Sequence, residues 1–272
     1  MAAPLARPQG WLLRSATLSY LGVMVVLPLA ALAYQSASGG GSAFLAAITD
    51  RFAVHALKLT FTTAAIMVVI NVVMGTATAW VLVRYSFPGK SIVNALIDLP
   101  FSIPTVVAGL MLVVLFGERS TLGAVLGAWD WQIVHHKPGV ILALLFVTYP
   151  FVVRSVQPVL MELEAAEEEA AATLGAGPWL TFRRVTLPTL WPSILTGAAL
   201  AFSRALGEFG SVVIVAGNQL STKTAPLYIF GEIESGNEYG AMVVSTVLLA
   251  SSLAILIFLN RLQRRGANAN GH

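Results

Sequence analysis

Glu167-Glu168-Glu169-Ala170-Ala171-Ala172-Thr173-Leu174-Gly175, EEEAAATLG, is an acidic, helix-prone segment in a chain with little charge elsewhere. From Met161 to Ala172 the residues are only Met, Glu, Leu and Ala, all strong helix formers. Gly175 and then Gly177-Pro178 stop such a helix. A second short segment, Trp179 to Val185, follows, and Thr186-Leu187-Pro188 leads back into apolar sequence. The expected shape is helix, turn, helix. Trp179 and Phe182 are large apolar groups in a polar loop and need cover. Ala170, Ala171 and Ala172 leave a smooth face suited to close approach by another protein. The competing reading is a solvated loop whose acids balance nearby arginines.

The flanking sequence tells where this segment sits. Of 272 residues, 57% are apolar and only 11% charged, against roughly 25% charged in ordinary globular chains. So few charges point to lipid as the main solvent. Six apolar runs, at 15–34, 54–83, 91–116, 138–157, 190–216 and 239–260, approach or exceed the ~20 residues that cross a bilayer. Pro150 and Arg154 interrupt the fourth. Pro100 and Pro104 predict a kink or break in the third. The first run is longer than the ~7–15 apolar residues of a signal peptide and is read as a retained span.

Basic residues orient the spans. With a cytoplasmic N-terminus, the inner segments hold ten: Arg7, Arg14, Arg84, Lys90, Arg154, Arg183, Arg184, Arg261, Arg264 and Arg265. The outer segments hold five, Arg51, Lys58, Arg119, Lys137 and Lys223, with Arg204 left inside a span. Both termini and EEEAAATLG are therefore expected on the cytoplasmic side. Outside, SASGGGS (36–42) reads as a flexible loop, and Trp129 and Trp131 suit an interfacial belt.

Several function classes drop out. The net charge of +3 is scattered at the ends of apolar runs, with no basic stripe for nucleic acid. Cysteine is absent, which removes disulfide, thiolate-metal and thiol-nucleophile chemistry. Pro88-Gly89-Lys90-Ser91 mimics the end of a phosphate-binding loop, but the required first glycine falls on Arg84. His55, His135, His136 and His272 lack metal-ligand spacing. No catalytic residue, metal or cofactor is expected in this chain.

Glu169-Ala170-Ala171, three residues, Gly175, nine residues, then Val185-Thr186-Leu187-Pro188 resembles the EAA loop of permeases of binding-protein-dependent ABC importers, with Val in place of the family's Ile. The match spans 20 positions. Residues 96–110, 150–160 and 202–218 further resemble the T-type permease of sulfate/thiosulfate importers. The resemblance implies an all-α integral membrane protein with the six-span, MetI-like fold of a type I importer permease and a cytoplasmic coupling helix. It divides the chain into an N-terminal span and outer loop (1–53), a core permease domain (54–260) with coupling loop 161–188, and a cytoplasmic tail (261–272). It implies that Glu169, Ala170, Ala171, Gly175, Trp179, Leu187 and Pro188 seat on an ATPase subunit. The implied partners are a second, W-type permease, two ATPase subunits holding ATP and Mg, and an extracytoplasmic sulfate-binding protein, in the lipid of a bacterial inner membrane. Alternatives are a molybdate or tungstate permease working as a homodimer and, from another class, an ion-coupled secondary transporter.

Charges inside spans are costly, roughly 2.5–3.5 kcal/mol at the centre, and so invite a role. Arg204 and Glu208 are four apart and are expected on one face of the fifth span. Arg204, with Ser203 and Ser211, offers charge and donors to a dianion; equally, Arg204 and Glu208 neutralise one another and pin the span. Asp98 caps the break at Pro100 or pairs with a basic residue. Ser102-Ile103-Pro104-Thr105 is expected to break a helix and turn its free N–H groups toward a cavity.

Overall fold

Apolar runs in lipid must satisfy their own backbone N–H and C=O groups, and helices do so within one segment. The computed structural model describes residues 7–163, 165–217 and 219–269, and it has no strand among them. The helices are α1 (Arg7–Leu21), α2 (Leu27–Ser38), α3 (Gly40–Thr49), α4 (Arg51–Arg84), α5 (Lys90–Ser102), α6 (Thr105–Phe116), α7 (Thr121–Gly127) and α8 (Lys137–Glu162). Then come α9 (Ala165–Thr173), α10 (Pro178–Thr181), α11 (Leu187–Leu206), α12 (Gly210–Ala216), α13 (Ala225–Glu234) and α14 (Glu238–Ala269).

Five stretches are long and apolar enough to cross a membrane: Trp11–Ser38, Arg51–Arg84, Lys137–Glu162, Pro178–Leu206 and Glu238–Phe258. A sixth crossing is the pair α5 and α6, bent by 115°. The predicted break in the third run is therefore present, at Ile103-Pro104.

Two crossings are continuous through five-residue π-helical stretches, Gly22–Val26 and Phe182–Thr186. Both run into a Leu-Pro pair, Leu27-Pro28 and Leu187-Pro188. Proline has no N–H to give, and its ring clashes with the carbonyl four residues back. Widening the preceding turn to an i→i−5 bond relieves that clash. Leu27 N–H donates to Gly22 O and Leu187 N–H to Phe182 O, as this requires. The segment expected as a separate helix at 179–185 is thereby fused to the fifth span, which begins at Pro178 rather than near 190.

The core is built on α4, α8 and α11. The first two run parallel: Asn71 meets Thr148, and Gly75 meets Val152. Small residues permit that closeness. A Cβ on Gly75 would lie 2.9 Å from Val152, and one on Gly197 of α11 would lie 2.8 Å from the Val152 Cα. Two buried clusters stack along the bundle. One, around Leu82, Val153, Leu160 and Leu190, lies toward the end carrying α9; the other, around Met67, Leu144, Leu206 and Val212, lies toward the opposite end. At that far end Asp50 caps α4 by accepting from Phe52 and Ala53 N–H at 2.8 and 3.1 Å. Burial, then the Glu232 and Asp50 charges, pushes the nearby Tyr228 hydroxyl above its ordinary value.

Two sequence expectations are corrected. SASGGGS is not a loop: α2 runs to Ser38, and α3 starts at Gly40 after a one-residue turn. The Tyr239 ring fills the space beside Gly39, and Tyr239 Oη donates to Ser36 O at 3.0 Å, which holds the turn against α14. The fifth span also does not run to 216. It ends at Leu206, and after Gly207-Glu208-Phe209 a separate helix, α12, packs on α6. There Gly210 lies against Thr105, so close that a Cβ would overlap its hydroxyl.

Candidate functional site

The loop quoted at the outset folds into a helix, but not one that starts at Met161: α8 runs to Glu162, the helix is interrupted at Leu163, and α9 begins at Ala165. α9 ends at Thr173, with Gly175 at φ +85°. Ala176 N–H donates to Ala171 O at 3.0 Å and Gly175 N–H to Ala172 O at 2.9 Å. This is the Schellman closure, in which glycine takes the left-handed position without Cβ strain. Glu169, Ala170 and Ala172 are exposed and Ala171 is half-buried. The side opposite Glu168, carrying Glu169 and Ala170, is thus open, while Ala172 lies one turn beyond Glu168. Trp179, 72% exposed, stacks on Phe182 with ring centres 5.7 Å apart, and Phe182 meets Trp80 edge-on at 5.4 Å. The cover that Trp179 needs is thus only partial within this chain. Leu187 is half-buried and Pro188 exposed at the start of α11.

The anchor of α9 is a residue the sequence reading passed over. Glu168 Oε1 accepts from Arg84 Nη2 at 2.8 Å and from Thr186 Oγ1 at 3.0 Å. The Arg84 guanidinium also lies 5.5 Å from the Trp80 ring centre. The arginine at the end of α4 and the three-glutamate run were the only signals in the sequence.

The other predicted residues are not gathered into one site. Arg204 pairs with Glu208 at 2.7 Å, but Glu208 lies outside the helix, in the break between α11 and α12. The expectation that one helical face carries both is corrected accordingly. Glu208 is 2% exposed. Its Oε1 accepts from Ser211 N–H at 2.8 Å and Ser211 Oγ at 2.9 Å, which caps α12. The carboxylate is thus satisfied by three donors. Ser211, offered beside Arg204 as a donor to a dianion, is spent on it. Ser203 is half-buried on α11. Arg204 is 17 positions beyond Leu187, roughly 26 Å along the axis. The pair therefore lies toward the end of the bundle away from α9.

Asp98 has the basic partner expected of it. Arg154 grips it through Nε at 2.7 Å and Nη2 at 2.6 Å, and the same guanidinium reaches the Asn94 side chain, Asn94 O and Gln157. This ties the first half of the bent crossing to α8. Ser102 is exposed at the end of α5, and Thr105 opens α6 against Gly210. An apolar cleft of about 590 Å³ opens between α4, α5 and α8, with Asn71, Thr78 and Tyr149 as its polar lining. None of Ser102, Thr105, Ser203, Arg204 or Glu208 lines it. Asn71 donates to Thr148 Oγ1 at 2.8 Å, and Thr78 bonds Tyr149. Among the described residues no cluster of His, Asp and Glu is placed to hold a metal.

This architecture has known relatives. The model of the family of binding-protein-dependent transport system inner membrane components matches residues 71–268. A probable sulfate transport system permease protein cysT from Nephroselmis olivacea is 45% identical over 91% of this chain and 87% of its own length. The sulfate transport system permease protein CysT of a Synechocystis species is 46% identical over 92% and 88%. Among solved structures, a chain of a bacterial alginate ABC transporter in complex with its periplasmic protein superposes with a TM-score of 0.79 at 18% identity, covering 95% of this chain and 96% of its own. A chain of the inward-facing MetNI methionine ABC transporter gives 0.59 at 19% identity, over 78% and 95%. Six crossings, the capped surface helix and these matches agree: the chain is a multi-pass membrane protein that belongs to the family of binding-protein-dependent transport system inner membrane components.

Proposed function

We propose that this chain is one permease half of an ATP-driven sulfate/thiosulfate importer. The observation that carries the reading is α9, braced to the bundle by Glu168 while Glu169 and Ala170 on its other side stay open. A helix held from behind and bare in front is built to seat in a partner. The named function of the relatives at 45% and 46% identity supports sulfate as the cargo. Glu169, Ala170, Ala171, Gly175, Trp179, Leu187 and Pro188 form the contact with an ATPase subunit. Two such subunits bind ATP and Mg, so this chain needs no cofactor and hydrolyses nothing itself. A W-type permease completes the pathway across the bundle's partner-facing side, and an extracytoplasmic binding protein delivers the anion. Both termini and α9 lie in the cytoplasm. The chain divides at 53 and 260 into N-terminal span, permease core and tail.

The test is reconstitution. The purified complex, placed in vesicles with its binding protein, should take up labelled sulfate only with ATP inside reach of the ATPase. Two distinct permease chains should co-purify. Uptake of molybdate in preference to sulfate by a complex with a single permease type would favour the homodimeric alternative. Uptake by this chain alone, driven by an ion gradient, would establish a secondary transporter and refute the proposal.

A further inference from the structure

Three adjacent glutamates open the coupling loop, and they do not play one part. Successive helix positions differ by 100°, so they point in three directions. Glu167 and Glu169 are exposed. Glu168 turns inward to Arg84, the last residue of α4, and to Thr186, in the turn that opens α11. The Arg84 and Glu168 side chains are 21% and 24% exposed. Partial burial protects such a pair from salt screening. Trp80 lies beside the guanidinium, and Trp80 and Phe182 close the joint edge to face.

The covalent connections of α9 break the helix at both ends. At its start the chain leaves α8 through Leu163, which has extended backbone at ψ 111°. At its end it passes through Gly175 and Gly177. Helix is interrupted at Leu163 and again at 175–177, so no continuous helix carries a push along one axis through α9. The side-chain joint reaches α4 directly, and α4 lies against α8 along Asn71, Gly75 and their partners.

Resting on the reading of α9 as a coupling helix, we propose that the Arg84–Glu168 pair, steadied by Thr186, is the rigid link that carries displacement of α9 to α4. Glu168 and Arg84 are positioning residues for transport. They are separate from the outward face of Glu169 and Ala170, which meets the motor. Because α4 and α8 pack as one unit, movement at Arg84 shifts both crossings together.

The experiment uses the complete reconstituted complex and counts labelled sulfate imported per ATP hydrolysed. A residue that only aids folding lowers the yield of complex but not this ratio. Glu168→Gln should lower the ratio at least about fivefold, the lower bound for a useful coupling between sites, with ATP hydrolysis retained. The chain has no cysteine, so R84C/E168C can be joined with a short bis-methanethiosulfonate, each thiolate forming a disulfide with the linker as methanesulfinate leaves. The unjoined pair should be uncoupled, and joining should restore the ratio, since a strut works when covalent. An unchanged ratio in Glu168→Gln, or a ratio that joining fails to restore, would overturn the link. A variant that never assembles, joined or unjoined, would assign the pair to folding and also overturn it. A wild-type complex that couples ATP to no uptake would instead remove the proposed function on which the link rests.

Discussion

At the scale of single residues, the charges that meet between helices are paired, Arg154 with Asp98 and Arg204 with Glu208. Glu208 is buried among three donors, whereas Arg204 keeps about a third of its side chain exposed. The two members of the pair should therefore respond unequally to neutralisation. Arg204→Met strands a buried carboxylate, and breaking a buried pair from one side costs about 3–5 kcal/mol, reduced here because Ser211 still donates twice. Glu208→Gln keeps an oxygen for Ser211 and leaves the arginine partly solvated. The thermal midpoint of the detergent-purified complex should fall clearly for Arg204→Met and little for Glu208→Gln. The reverse order would mean that Arg204, not Glu208, is the group being neutralised. Gly175 supports a second expectation. With φ at +85° and open space around it, a side chain there meets backbone strain and no clash. Gly175→Val should cost roughly 1–2 kcal/mol at the cap, fray the end of α9 and cut ATP-driven uptake while membrane insertion stays normal. Uptake at the wild-type rate would show that the cap is not needed for coupling.

At the scale of elements, the lesson lies in what one-dimensional patterns carry. Apolar length marked all six crossings, and Pro100 with Pro104 marked the 115° bend. The Leu-Pro pairs were visible too. Their consequence, a π-helical turn that keeps the crossing continuous, depends on backbone geometry that composition does not express. SASGGGS read as a loop because glycine weakens helices, yet packing of Tyr239 over the turn holds α2 and α3 helical. The end of the fifth crossing was misplaced for a similar reason. Nothing apolar distinguishes 210–216 from the helix before it; a buried carboxylate capping α12 does. Glu168 was missed because three glutamates in a row look alike until the neighbour of each is known. The Asp98–Arg154 grip gives an element-scale prediction. Arg154→Met frees α5 from α8 at its one guanidinium clamp and should make the loop around Gly89 more open to limited proteolysis. Unchanged cleavage would show that apolar packing alone holds the bent crossing.

At the scale of the whole molecule, the bundle has two distinct ends. Arg84, α9 and the start of α11 gather at one; Asp50, α13 and the start of α14 gather at the other. The cysteine-free background makes the orientation directly testable. An impermeant thiol reagent added to intact cells should label Ser235→Cys, and should reach Thr173→Cys only after the membrane is opened. The opposite pattern would put α9 outside and end its role as a coupling helix. The most direct measurement remains ATP-dependent uptake of labelled sulfate by vesicles holding the permeases and binding protein, with and without the ATPase subunits. Uptake that appears only with the ATPase, and that Gly175→Val abolishes while the complex stays intact, is the predicted result. Uptake that persists when the ATPase is left out would contradict the account.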